Sequence, residues 1–165
     1  MDILQKVLVH FDKEWHQEFS DFEDDINKLD ASSRQCLQVY VQLTKVWDPA
    51  IVNMLIEAGN DLHSEHDEGG ILHSFVGNEW ICNDDTTPLK WLTEKGCNWT
   101  VLDDESSTVL MKYLKNVKRV DGKLDTQVLS YLVDKCHNSV NEEDFCGVSS
   151  LMSLVQIPGF KEEHI

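Results

Sequence analysis

The sequence has few basic residues, few prolines, no closely spaced cysteines and no long apolar run. Lys and Arg total 14 against 30 Asp and Glu, which gives a net charge of −16. A surface this acidic is repelled by phosphate backbones and anionic membranes, so no nucleic acid and no membrane is expected as a partner. The natural complement is another protein with a basic surface. The five cysteines, Cys36, Cys82, Cys97, Cys136 and Cys146, are odd in number, widely spaced and contain no Cys-x-x-Cys. This argues against a disulfide framework or a zinc cage and favours a reducing compartment, cytoplasmic or nuclear. No apolar run reaches the length that crosses a bilayer. The start, Met1-Asp2-Ile3-Leu4-Gln5-Lys6, lacks a basic stretch followed by an apolar one, so no secretory signal is read. The sequon Asn98-Trp99-Thr100 is accordingly expected to be silent. Gly-x-Ser-x-Gly and phosphate-binding glycine loops are missing, and Gly69-Gly70 reads as a turn. His63-x-x-His66 has the spacing of a metal pair but no third ligand nearby, and it reads as solvated loop. The expectation is therefore a protein without catalytic residues, cofactor or metal.

What the sequence does have is self-similarity. The stretches Ile51–Leu62, Leu89–Trp99 and Leu129–Asn138 each run from paired apolar residues through polar ones to Gly59, Gly96 and Cys136. Upstream, a second signature recurs: Ser33-x-Gln35-x-Leu37-Gln38, Leu72-His73, Ser106-x-Thr108-x-Leu110-Met111 and Gly147-x-Ser149-x-Leu151-Met152. Asp48-Pro49 and Thr87-Pro88 place a capping residue before a proline at a helix start, and Asp125 or Thr126 can cap the third copy. Gly59 and Gly96 stand where a helix ends in a left-handed residue. At the third copy His137 or Asn138 can take that turn in place of Cys136. Each pair of short helices leaves an apolar stripe that only a stacked neighbour can bury.

The recurring opening resembles the Gly-x-Thr-Pro-Leu-His of ankyrin repeats, and the 51–67 stretch resembles the second helix and exit turn of one. The resemblance covers roughly residues 31–165. It implies an all-α ankyrin-repeat solenoid of stacked helix pairs, with about three repeats and an incomplete fourth that is either a fragment or a C-terminal cap. The copies depart from the family repeat of about 33 residues by longer inter-helix loops at Leu43–Trp47, Gly77–Asp85 and Val117–Lys123. His73 takes the opening histidine, whose imidazole in the family bonds backbone across repeats. Gly70 replaces its usual threonine partner.

Residues 1–30 differ. Leu4, Leu8, Phe11, Trp15, Phe19, Phe22, Ile26 and Leu29 follow helical spacing, and Ser20 with Glu23 forms a capping box. The segment reads as an N-terminal helical cap over the open end of the array, or alternatively as a partner-binding helix.

The family resemblance implies protein–protein interaction. One form is a regulatory subunit, similar in size to the ankyrin-only inhibitors of cyclin-dependent kinases. The alternative is a viral-type adaptor, since long inter-helix loops also resemble those of poxvirus ankyrin proteins. The turns joining the repeats carry Glu65-His66-Asp67-Glu68, Asp103-Asp104-Glu105 and Glu142-Glu143-Asp144. Stacked side by side they form an acidic rim that steers a Lys/Arg-rich partner, or else a solubilising surface. Lys112, Lys115, Lys118 and Arg119 lie apart from that pattern. Trp47 and Trp80, in or beside the loops, are either interface anchors or fold back over their own repeats.

Overall fold

The computed structural model describes residues 36–57, 60–78, 85–119 and 124–157. The expected cap over 1–30, Gly59 and Trp80 lie outside these residues. Among the described residues seven α-helices form: α1 (Cys36–Leu43), α2 (Pro49–Glu57), α3 (Ile71–Val76), α4 (Thr87–Glu94), α5 (Val109–Arg119), α6 (Thr126–Lys135) and α7 (Ser150–Val155). No β-strand forms among the described residues, and the fold is all-α.

The helix starts follow capping chemistry. Asp48 Oδ1 accepts the Ala50 amide at 2.8 Å, with Pro49 opening α2. Asp125, not Thr126, caps α6, accepting from Gln127 and Val128 at 2.7 and 2.8 Å. Thr108 Oγ1 and Ser149 Oγ accept the amides of Met111 and Met152 at the starts of α5 and α7. These side chains satisfy amide groups that have no partner within their own helix.

Three boundaries differ from expectation. Thr87 is the first residue of α4 rather than its cap, and its amide is taken by Asp85 Oδ1 at 2.8 Å. Helix α5 runs on to Arg119, into the segment read as loop. After α6, neither His137 nor Asn138 is left-handed; a 3-10 turn over His137–Ser139 closes the helix instead. Gly96 does adopt the left-handed conformation, at φ +80°.

Alternate helices pack in a row: α1 on α3, α3 on α5, α5 on α7. Helix α2 packs on α1 and α6 on α5. The interior of the row is Leu37, Val41, Leu72, Phe75, Val76, Leu110, Tyr113 and Leu114, all essentially inaccessible. Val52, Leu55, Leu89, Leu92, Val128 and Leu132 close it from the second helices. Each such side chain stabilises the fold by roughly 1.5–3 kcal/mol relative to exposure, and short helices of six to eleven residues depend on that packing rather than on propensity.

Candidate protein interface

The site is built from the turns that precede α3, α5 and α7. In the second turn the Asp103 amide donates to Ser107 O at 3.2 Å and the Ser106 amide to Asp103 O at 2.9 Å. In the third, Asp144 donates to Val148 O at 3.1 Å and Gly147 to Asp144 O at 2.8 Å. Ser106 and Gly147 hold the same left-handed position, at φ 58° and 73°. The first turn does the same work between His66 and Gly69, whose φ is +90°.

Backbone hydrogen bonds then align the turns. The Asp104 amide donates to Asp67 O at 2.6 Å, and the Phe145 amide to Glu105 O at 3.0 Å. The three acidic turns therefore stand side by side.

Not all their carboxylates face outward. Asp103 and Asp144 are buried, which corrects their reading as rim residues. Asp103 Oδ1 accepts the amides of Glu105 and Ser107 at 3.1 and 2.7 Å. Asp144 Oδ1 likewise accepts those of Cys146 and Val148 at 2.9 and 3.0 Å. Both aspartates tie their own turns, and the second oxygen of each meets a lysine from α5. Lys112 Nζ lies 3.4 Å from Asp103 Oδ2, and Lys115 Nζ lies 3.0 Å from Asp144 Oδ2. Lys115 also reaches Glu105 Oε2 at 3.0 Å and Ser107 Oγ at 2.8 Å, so one cation clamps the second and third turns. The backbone amides, with Lys115, hold the Asp144 carboxyl below its ordinary pKa. Burial pulls the Lys115 ammonium down, but its bonds to Glu105 and Asp144 outweigh this and its pKa is raised. Lys112 and Lys115, read as separate from the acidic pattern, are thus part of it.

The exposed carboxylates of the row include Glu65, Asp67, Glu68, Asp104, Glu142 and Glu143, and Glu105 is exposed and bound to Lys115. His66 is half-buried, its Nε2 3.2 Å from Ser64 Oγ. Behind the row lies a polar hollow of about 330 Å³, lined by Gln42, Glu68, Ser74, Lys112, Lys115 and Asn116. It joins the turns to the exposed sides of α1, α3 and α5.

His73 is buried, and its Nε2 lies 3.0 Å from Ser107 O in the next turn. A carbonyl can only accept, so the proton sits on Nε2. Nδ1 has no hydrogen-bond partner among the described residues. Burial lowers the imidazole's pKa against the opposing pull of the Ser107 bond. Gln38, at the same place in α1, reaches Ser64 O at 3.4 Å.

Trp47 is half-buried and packs against the core. Its ring lies edge-on to Phe75 and to Trp91, with centroids 5.6 Å away in each case. This corrects the anchor reading in favour of folding back. Trp80 lies outside the described residues, so its role is open.

Two functional positions escaped the sequence reading. Asn78 Nδ2 donates to Val41 O and Thr44 O at 2.7 and 2.8 Å, closing the carboxyl end of α1. Asn116 repeats this on α3, donating to Val76 O and Asn78 O at 3.0 and 3.2 Å. Both asparagines stand six residues beyond a repeated leucine, Leu72 or Leu110, and that shared offset was a legible signal.

Among the described residues no group of three or more potential ligands could hold a metal ion, and no helix is long and apolar enough to cross a membrane. Neither a protein-family model nor a curated protein matches the sequence.

Proposed function

We propose that the chain is a divergent ankyrin-repeat protein that binds another protein, without chemistry of its own, as a regulatory or adaptor subunit. The observation that carries the reading is the row of aligned turns, joined by the Asp104–Asp67 and Phe145–Glu105 backbone bonds over first helices that pack one on the next. The imidazole of His73 bonding the neighbouring turn, and the two asparagines closing preceding helices, support the same repeat reading.

The binding surface is the rim of Glu65, Asp67, Glu68, Asp104, Glu142 and Glu143, with the polar hollow behind it. Exposed carboxylates of one sign on a rigid backbone raise the encounter rate with a basic surface and reject acidic ones. Asp103 and Asp144 contribute by holding the turns in shape.

The test is affinity capture with mass spectrometry, comparing wild type with a variant in which the six exposed rim residues become Asn or Gln. Asp103 and Asp144 stay unchanged, so that the turns are not unmade. A basic partner that wild type captures and the variant loses supports the rim. Identical partners for both proteins reduce the rim to a solubilising surface.

A further inference from the structure

Helix α7 presents an apolar face whose counterparts elsewhere in the row are covered. Leu110, Met111 and Leu114 of α5, a helix packed against α3, α6 and α7, are at most 2% exposed. The matching residues of α7, Leu151, Met152 and Val155, are 59%, 47% and 58% exposed. The helix buries Ser150 and Ser153 instead, and so turns its small polar side inward and its large apolar side outward. Phe145, on the adjoining turn, is 79% exposed. An outward apolar helix face of this kind marks a docking surface rather than ordinary scatter.

We infer that this end face binds a helix of a basic partner protein, laid on α7 as α7 is laid on α5. Two observations define the occupant. Ser150 and Ser153, the small side chains of α7, are buried while Leu151, Met152 and Val155 are not, so an incoming helix meets the exposed face with apolar side chains of its own. The edge of the face is acidic: Glu142 and Glu143 are exposed, and Glu143 is bridged through backbone to Ser149 at the start of α7. A flanking Lys or Arg on the incoming helix meets these carboxylates. The net charge of −16 opposes a second copy of the chain at the same place. The face shares Glu142 and Glu143 with the rim, but its apolar residues, Leu151, Met152, Val155 and Phe145, are not part of the rim, and the serine variant changes Leu151 and Val155 alone.

The experiment titrates the full chain with a blocked synthetic helix that carries Ala and Leu on one face and Lys on the rest. A Leu/Glu helix of the same pattern serves as control, and sedimentation velocity runs alongside. The Leu/Lys helix is expected to bind wild type, to bind Leu151→Ser/Val155→Ser at least about tenfold more weakly, and the Leu/Glu helix to bind neither. If the double variant loses its helical circular dichroism, Met152→Gln alone carries the same comparison. Equal affinity for wild type and variant overturns the inference, because the peptide then reads only the acidic surface. A wild-type dimer that the variant dissolves overturns it in favour of a second copy. Binding that appears only after residues 158–165 are removed overturns it in favour of the chain's own tail.

Discussion

Ser106 holds a left-handed backbone position that Gly69 and Gly147 hold in the neighbouring turns. A residue with a Cβ is strained there by roughly 1–2 kcal/mol, while glycine loses more chain entropy on folding, by roughly 0.5–1 kcal/mol. Ser106→Gly is therefore expected to stabilise the protein by about 0.5–1 kcal/mol, measured by urea unfolding. Asp103 shows the opposite sensitivity. Its buried carboxylate serves two amides and Lys112, and Asp103→Ala orphans all three. A loss of about 1–3 kcal/mol is expected, against no more than about 0.5 kcal/mol for the exposed Asp104→Asn. His73 sets a pH dependence. Its folded pKa lies below the ordinary 6.5, so between those two values the unfolded chain binds more protons. The His73 contribution is fully present above pH 6.5 and is lost as pH falls toward the folded value. Unfolding followed from pH 7.5 down to 5 is expected to show a slope that His73→Gln, which keeps a donor, flattens. The left-handed serine was legible because it stands where Gly147 stands in the recurring opening. The inward turn of Asp103 and Asp144 was not. Charge runs show which residues carry carboxylates, but not which of them find amide donors within their own turn.

Elements in this molecule are short, and what stops them matters as much as what starts them. The starts were readable in part: Asp48-Pro49 and Asp125 are local capping signals, while Thr108 and Ser149, seen only as members of the recurring opening, cap α5 and α7. Two of the ends are tertiary. Helices α1 and α3 are finished by amides of Asn78 and Asn116, which come from later in the chain. Asn116→Ala is expected to cost about 1–3 kcal/mol, since two buried carbonyls lose their donor. Native-state hydrogen exchange should place the loss in faster opening of α3. Trp47 belongs to this scale too. Its sequence position beside a loop suited an anchor as well as a brace, and only the approach of Phe75 and Trp91 from two other helices decides between them. The shift of the α4 start to Thr87 is local instead: Asp85 Oδ1 accepts the Thr87 amide, the acceptor role that Thr87 itself was expected to play.

The described helices form a row with acidic turns arranged along one line. The periodicity of the openings indicated the helix pairs, and the acidic turns indicated the line. What no periodicity could show is that Lys115 clamps two turns and that the charge left for a partner is correspondingly smaller. Burial raises the Cys97 and Cys136 thiols to about 11, so both remain protonated, unreactive packing groups at neutral pH. The remaining surface carboxylates define the functional reading, and their effect is electrostatic. It must therefore weaken as salt shortens the range of the field, about 10 Å at 0.1 M. The measurement that tests this most directly is the affinity for the captured partner, titrated against ionic strength for wild type and for the six-residue rim variant. An affinity that falls steeply with salt for wild type, and is weak and nearly flat for the variant, is the predicted result. A salt-independent affinity shared by both proteins would contradict it.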